Sequence, residues 1–288
     1  MKFARAAIIA SIAVSFVALA CGIAAVLWIS APPPRPPAVR PAPQTPLPPL
    51  APAHPRETAA AGGPFVEKFQ TFDEVSRWYV SDGWSNGAWM SSEFLRSHLA
   101  LSPQGLVATL SRTPPDSSAK SYAGAEFRTR QPYGYGYFEG RMTAPRGPGT
   151  VIALFTYRGP EPAHRNQEID IELLGDHTRT VDLTIHQGQR TENVRAPLGF
   201  DAAEGFHTYA FDWRPHSIRW YADGVLIHES HGQKVPIPDL QQQFFFDLWN
   251  STMLYRWVGP IDERYAPWVV TISCMAYAER YEGKPLCS

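Results

Sequence analysis

The chain has 288 residues, with 26 Lys+Arg against 27 Asp+Glu and a formal net charge of −1 at pH 7. That balance gives no electrostatic case for a nucleic-acid partner, and three Cys exclude a disulfide-dense scaffold. The nine His fall in no HExxH or H-x3-H spacing, so no zinc motif is present.

In chain order, Lys2 and Arg5 precede an uncharged apolar run over residues 6–29. As a helix it would be about 36 Å long, enough for a hydrocarbon core of about 30 Å. We read residues 1–30 as an uncleaved transmembrane signal anchor. Cleavage at Ala18-Leu19-Ala20, or a lipid on Cys21, are the alternatives. The basic start places the N-terminus in the cytoplasm and the rest outside, in the periplasm or beyond.

Thirteen of the 28 Pro lie in residues 31–64, which hold few large apolar groups. This segment is predicted to be a disordered spacer, about 105 Å at most as polyproline II. It links the anchor to a domain over residues 65–288, whose net charge is −5. Such a domain, aromatic and mildly acidic, suits a neutral or cationic ligand with flat apolar faces better than a polyanion.

From residue 65 onward the apolar pattern alternates or comes in short runs, broken by Gly, Pro, Asn and Asp. Strands are predicted over 137–142, 151–157, 168–174, 181–186, 208–213, 218–221, 225–228, 244–249 and 268–277. That is an all-β sandwich or jelly roll. Asp223-Gly224 predicts a type I′ hairpin, and residues 238–243 one short helical turn.

The most informative stretch is Asn166-Gln-Glu-Ile-Asp-Ile-Glu-Leu-Leu-Gly175. On a strand, Glu168, Asp170 and Glu172 share one face, while Ile169, Ile171 and Leu173 anchor the other in the core. Glu168 and Glu172 span about 13 Å between Cα atoms. Side chains leaning together bring their carboxyls to about 5–6 Å, near the separation used by retaining glycosidases. One acid attacks the anomeric carbon; the other protonates the leaving oxygen and then deprotonates water. A solvated strand face and a calcium cluster are the competing readings.

Glu168-Ile-Asp-Ile-Glu172 resembles the E-x-D-x-E signature of family 16 glycoside hydrolases. Further segments resemble that family in the same order: Asp82-Gly-Trp-Ser-Asn-Gly87, Tyr135-Gly-Tyr-Phe-Glu-Gly-Arg-Met142, Phe206-His-Thr-Tyr-Ala-Phe-Asp-Trp213, Ile218-Arg-Trp-Tyr-Ala-Asp-Gly224, and Leu248-Trp-Asn250 with Trp257. The four-residue acid spacing is closest to lichenases, bacterial exopolysaccharide endoglycanases and the xyloglucan-active branch. The resemblance implies a concanavalin-like β-jelly roll. It also implies Glu168 as nucleophile, Asp170 as assisting acid and Glu172 as acid/base. Trp84, Asn86, Glu139, Arg141, Thr184, His186, Asp247 and Trp249 are then expected in the sugar cleft. Trp213 and Trp220 are read as core.

Departures are as specific. Gln167 stands where lichenases usually have Asp, Thr184 and His186 where they have Asn and Tyr, and Asp247 where they have Asn. These point away from strict mixed-linkage specificity. Ala276 replaces a calcium-ligating Asp of several relatives, so no cofactor is expected and structural calcium is doubtful. Cys274 and Cys287 either form a disulfide that pins the tail or remain two thiols. The resulting expectation is a monomeric, retaining endo-β-glycanase that acts on a glucose-containing polysaccharide. A transglycosylase or a non-catalytic sugar-binding module are the alternatives.

Overall fold

The computed structural model describes residues 43–47, 62–114, 119–159 and 166–287. The anchor expected over residues 1–30 lies outside them. Among the described residues, no helix is long and apolar enough to cross a membrane.

The described strands are, in chain order, β1 (Thr45–Pro46), β2 (Phe65–Glu67), β3 (Trp78–Val80), β4 (Ser92–Phe94), β5 (Leu99–Ser102) and β6 (Gly105–Arg112). Next come β7 (Tyr122–Thr129), β8 (Gly136–Met142), β9 (Thr150–Arg158), β10 (Gln167–Leu174), β11 (Thr180–Gln187) and β12 (Arg190–Pro197). The last are β13 (His207–Arg214), β14 (Ser217–Ala222), β15 (Val225–Ser230), β16 (Gln243–Asn250) and β17 (Trp268–Ala278). One short α-helix, α1 (Tyr255–Val258), precedes the final strand.

Two layers result. The front sheet runs β12-β11-β10-β9-β16-β7-β3. The back sheet runs β15-β14-β13-β8-β17-β6-β5-β1, with β2 on the far half of β17. Late strands β16 and β17 lie between early ones in each layer, the crossed connectivity of a jelly roll. All nine predicted strands are present. Phe138 of the back sheet meets Phe244 of the front sheet at 5.2 Å, joining the layers across the core. Trp213 and Trp220 are fully buried, as read from the sequence. Both Asp223 and Gly224 have positive φ, 47° and 77°, the conformation a type I′ turn needs.

Two expectations are corrected. The Pro-rich segment is not spacer throughout. Thr45 and Pro46 pair with Leu101 and Ala100 at the edge of the back sheet, and Leu47 is buried. Pro is tolerated at an edge, and Leu47 supplies the apolar group that holds it there. Residues 238–243 form no helical turn. Gln167 takes the N–H groups of Asp239 and Leu240, both at 2.9 Å, and donates to Asp239 at 2.8 Å. The end of the segment is extended instead, with Gln242 bridged to Tyr133 and Gln243 opening β16.

The tail is tied to the back sheet. Cys274 of β17 is disulfide-bonded to Cys287, 13 residues later, with Cα atoms 5.6 Å apart. Ala276 packs with this pair and Leu286; it offers calcium no side-chain ligand.

Candidate active site

On β10 the predicted alternation is realised. Ile169, Ile171 and Leu173 are 0–2 % exposed in the core. Their burial stabilises the strand by on the order of 5–9 kcal/mol, against the cost of crowding three acids on its other face. Neighbouring strands continue that face. Cross-strand register sets the outward side chains of the front sheet in transverse rows.

One row runs Arg195, Asp182, Glu172, Ala153, Asp247 and Glu126. The next runs Asn193, Thr184, Asp170, Phe155, Phe245, Arg128 and Tyr79. A third runs Thr191, His186, Glu168, Tyr157 and Gln243. The first row is therefore acidic across its middle, and the second mixes aromatic rings with polar groups.

Hydrogen bonds hold the rim of these rows. Arg195 grips Asp182 with two bonds of 2.6 and 2.8 Å, and the Trp257 indole donates to Asp182 at 2.7 Å. Asn193 donates to Thr184 Oγ1 at 2.8 Å, and Thr184 reaches Glu172 Oε2 at 3.4 Å. Ser81 donates to Glu126. Arg128 lies over the Tyr79 ring at 4.4 Å and the Phe245 ring at 5.8 Å.

Burial dominates the electrostatics. It lifts Glu172 to about 8, reinforced by the charges of Glu168 and Asp182, while the Thr184 bond opposes it. Glu168 is raised to about 7 by burial, opposed by its hydrogen bond with Asp170. Asp170 stands well above the carboxylate range, through burial and the charges of Glu168 and Glu172. Burial and the charges of Glu126, Glu172 and Glu168 do the same to Asp247. Glu126 is raised to about 7, again by burial first. Such a face holds some of its acids protonated at neutral pH and some ionised, the division acid–base chemistry requires.

The structure brings Glu168, Asp170, Glu172, Thr184, His186 and Asp247 together on this face. Trp249 joins them at its end, edge-on to Trp89 at 5.1 Å. Trp84 and Asn86 are exposed on the loop before β4, which is strapped to it by the Gly83–Phe94 and Phe94–Trp84 backbone bonds of 2.8 Å.

Glu139 and Arg141 are not in this site. They belong to β8, which pairs with β13 and β17 in the back sheet. Glu139 is 0 % exposed and accepts from Tyr137 Oη at 2.6 Å and from the tail N–H groups of Leu286 and Cys287 at 3.1 and 2.5 Å. Arg141 donates to Ser273 at 3.1 Å and covers the Phe206 ring at 4.8 Å. Glu-x-Arg occurs twice in the chain, and the earlier copy, Glu126-Phe-Arg128, is the one on the front face. A signal was available: Phe127 alternates with Glu126 and Arg128, so an acid and an arginine share one side of an otherwise apolar strand. Asp182, Tyr157 and Phe245 were also missed, since only the register reveals them.

Comparison with known proteins comes to the same place. The profile of glycosyl hydrolases family 16 matches residues 88–268. A beta-glucanase of Bacillus amyloliquefaciens is 37% identical over 203 residues, covering 70% of this chain and 82% of that protein. The endo-1,3-1,4-beta-glycanase ExoK of Rhizobium meliloti (strain 1021) is 34% identical over 197 residues, 68% of this chain and 71% of its own. The solved structure of a Bacillus licheniformis beta-glucanase aligns with a TM-score of 0.69 at 32% identity, over 77% of this chain and 100% of that one.

Proposed function

Because the chain belongs to glycosyl hydrolases family 16 and is an O-glycosyl hydrolase, we propose that it is a retaining endo-β-glucanase. Its substrate is a glucose-containing polysaccharide of the β-1,3-1,4 or exopolysaccharide kind. The observation that carries this is the acid triplet of β10, with Glu172 held near 8 and Glu168 hydrogen-bonded to Asp170 on the same face.

In this reading Glu168 attacks the anomeric carbon while Glu172 gives its proton to the departing sugar oxygen. Asp170 keeps its own proton and donates a hydrogen bond to Glu168, steadying it as an anion before attack. Esterification removes the Glu168 charge that helped hold Glu172 high. The Glu172 pKa then falls, and the same residue takes the proton from the incoming water. Two displacements at one carbon return the original configuration.

Trp84, Trp249, Tyr79 and Phe245 supply flat apolar faces for glucosyl rings. Asn86, Thr184, His186, Asp247, Glu126 and Arg128 supply donors and acceptors for hydroxyls. The apolar run at residues 6–29 supports a tether to the inner membrane with the domain outside the cytoplasm. A tethered glucanase would act on polymer held near the envelope.

NMR of the first-formed product from a β-glucan tests the mechanism: the β-anomer is expected, and initial α-anomer overturns it. A polysaccharide panel with linkage analysis identifies the substrate. Products longer than the substrate, formed when oligosaccharide is added, would favour transglycosylation.

A further inference from the structure

The second and third rows of the front sheet bring an imidazole against two of the acids described above. Glu168 and Asp170 lie two residues apart on one face of β10, and His186 of β11 is the direct cross-strand partner of Glu168. One ligand atom from each residue lies within 4.8 Å of the other two. His186 Nε2 stands 3.6 Å from Asp170 Oδ2, too far for a hydrogen bond. Asp170 is 5 % exposed, and this oxygen is buried with no hydrogen-bond partner. A buried carboxylate oxygen without a partner is costly. Here it faces an imidazole nitrogen across a gap with the dimensions of a metal bridge. A tetrahedral ion about 2.1 Å from each ligand sets its ligand atoms about 3.4 Å apart.

We propose that Glu168, Asp170 and His186 form a binding site for a late first-row divalent cation, zinc or copper(II), whose occupation shuts the reacting face of the enzyme. The donor set selects the ion. One imidazole nitrogen with two carboxylates suits zinc and copper, whereas calcium and magnesium take oxygen ligands. On binding the cation Asp170 releases its proton to solvent, the two resulting carboxylates neutralise the divalent charge, and a fourth position stays open to water or a sugar hydroxyl.

The ring is already oriented for this role. His186 Nδ1 lies 2.9 Å from Thr191 Oγ1. In the tautomer that donates to Thr191, Nε2 keeps its lone pair directed at Asp170. Metal-bound histidines are commonly fixed in this way by a partner on the second nitrogen. No zinc motif marks the site in the sequence, because its ligands come from two strands brought into register rather than from one segment. A bound cation would occupy the carboxylates proposed to attack and to assist. The inhibitory half of the proposal therefore rests on the proposed function, and the binding half does not.

The test is calorimetric titration of zinc chloride into the metal-stripped, full-length protein. Copper(II) electron paramagnetic resonance on the same protein accompanies it. One saturable zinc site is expected, with a copper spectrum coupled to a single imidazole nitrogen. His186→Gln should weaken zinc binding at least tenfold and abolish the nitrogen coupling. Thr191→Val, which leaves every ligand in place, should weaken it about tenfold. His231→Gln, at an exposed histidine beyond β15, should bind as wild type. Zinc should inhibit β-glucan cleavage, with EDTA restoring it and calcium chloride having no such effect.

Absence of saturable zinc binding overturns the site. So does wild-type affinity in both His186→Gln and Thr191→Val, or a copper spectrum without nitrogen coupling. Zinc bound through His186 without inhibition overturns the inhibitory half. Zinc bound through His186 in a protein that cleaves no glucan supports the site and overturns the functional reading alone.

Discussion

Replacing Glu168 by Gln removes the charge that ranks first, after burial, among the causes holding Glu172 high. At the separation of about 5.5 Å used by retaining glycosidases, and with an effective dielectric constant of about 20, the lost repulsion is about 3 kcal/mol. That corresponds to about 2 pKa units. Burial and the Asp182 charge remain, so Glu172 should fall from about 8 to about 6 and stay above its ordinary value of 4.5. The substitution imitates the neutral ester formed at Glu168 during turnover. It therefore measures, in the resting protein, the change that would convert Glu172 from acid to base. Carbon NMR of labelled glutamate carboxyls follows the titration, and loss of the signal in Glu172→Gln assigns it. If Glu172 still titrates near 8 in Glu168→Gln, the two acids are not coupled, and the cycling argument fails.

Three more expectations follow from particular contacts. Glu126 is buried and raised from 4.5 to about 7, so its folded form favours the proton. Its stabilising contribution is complete below about 4.5 and is lost as pH rises through about 7. That amounts to about 3 kcal/mol, and Glu126→Gln should flatten the decline in thermal stability between pH 5 and pH 8, while an unchanged slope would show that Glu126 ionises at its ordinary value. Cys287→Ser should lower stability by about 3 kcal/mol, from a closed loop of about 14 residues, while glucan turnover persists because the tail packs on the back sheet; equal denaturant midpoints for the two proteins would show that the tail contributes nothing. Arg128→Ala should raise KM for glucan about tenfold through a lost charged hydrogen bond, and Arg141→Ala should not; the opposite pattern would return Glu139 and Arg141 to the cleft.

What the sequence disclosed and what it hid divide along one physical line. Strands whose two sides face core and cleft alternate sharply, and β10 announced itself by aliphatic and acidic residues in strict succession. β12 did not, because Arg190–Pro197 lies largely exposed at the sheet edge and offers only Val194 and Ala196 as apolar residues on its inner side. β7 is nearly all buried and built partly of Ala and Gly, so its period is blurred although its position is central. That blurring has a functional consequence, since β7 carries Glu126 and Arg128. The later Glu-x-Arg copy sits in a strand of clear alternation and invites assignment to the cleft, yet its alternation is equally compatible with either sheet. Period tells which residues share a face; it does not tell which layer that face belongs to. Only pairing decides that, and pairing across a jelly roll is non-local: β7 meets β16, more than a hundred residues later, whereas β8 meets β13 and β17. Asp182 was hidden differently: it meets Glu172 across the adjacent β10–β11 pair, a local contact that only the register discloses, so its chemistry depends on the neighbour rather than on the segment.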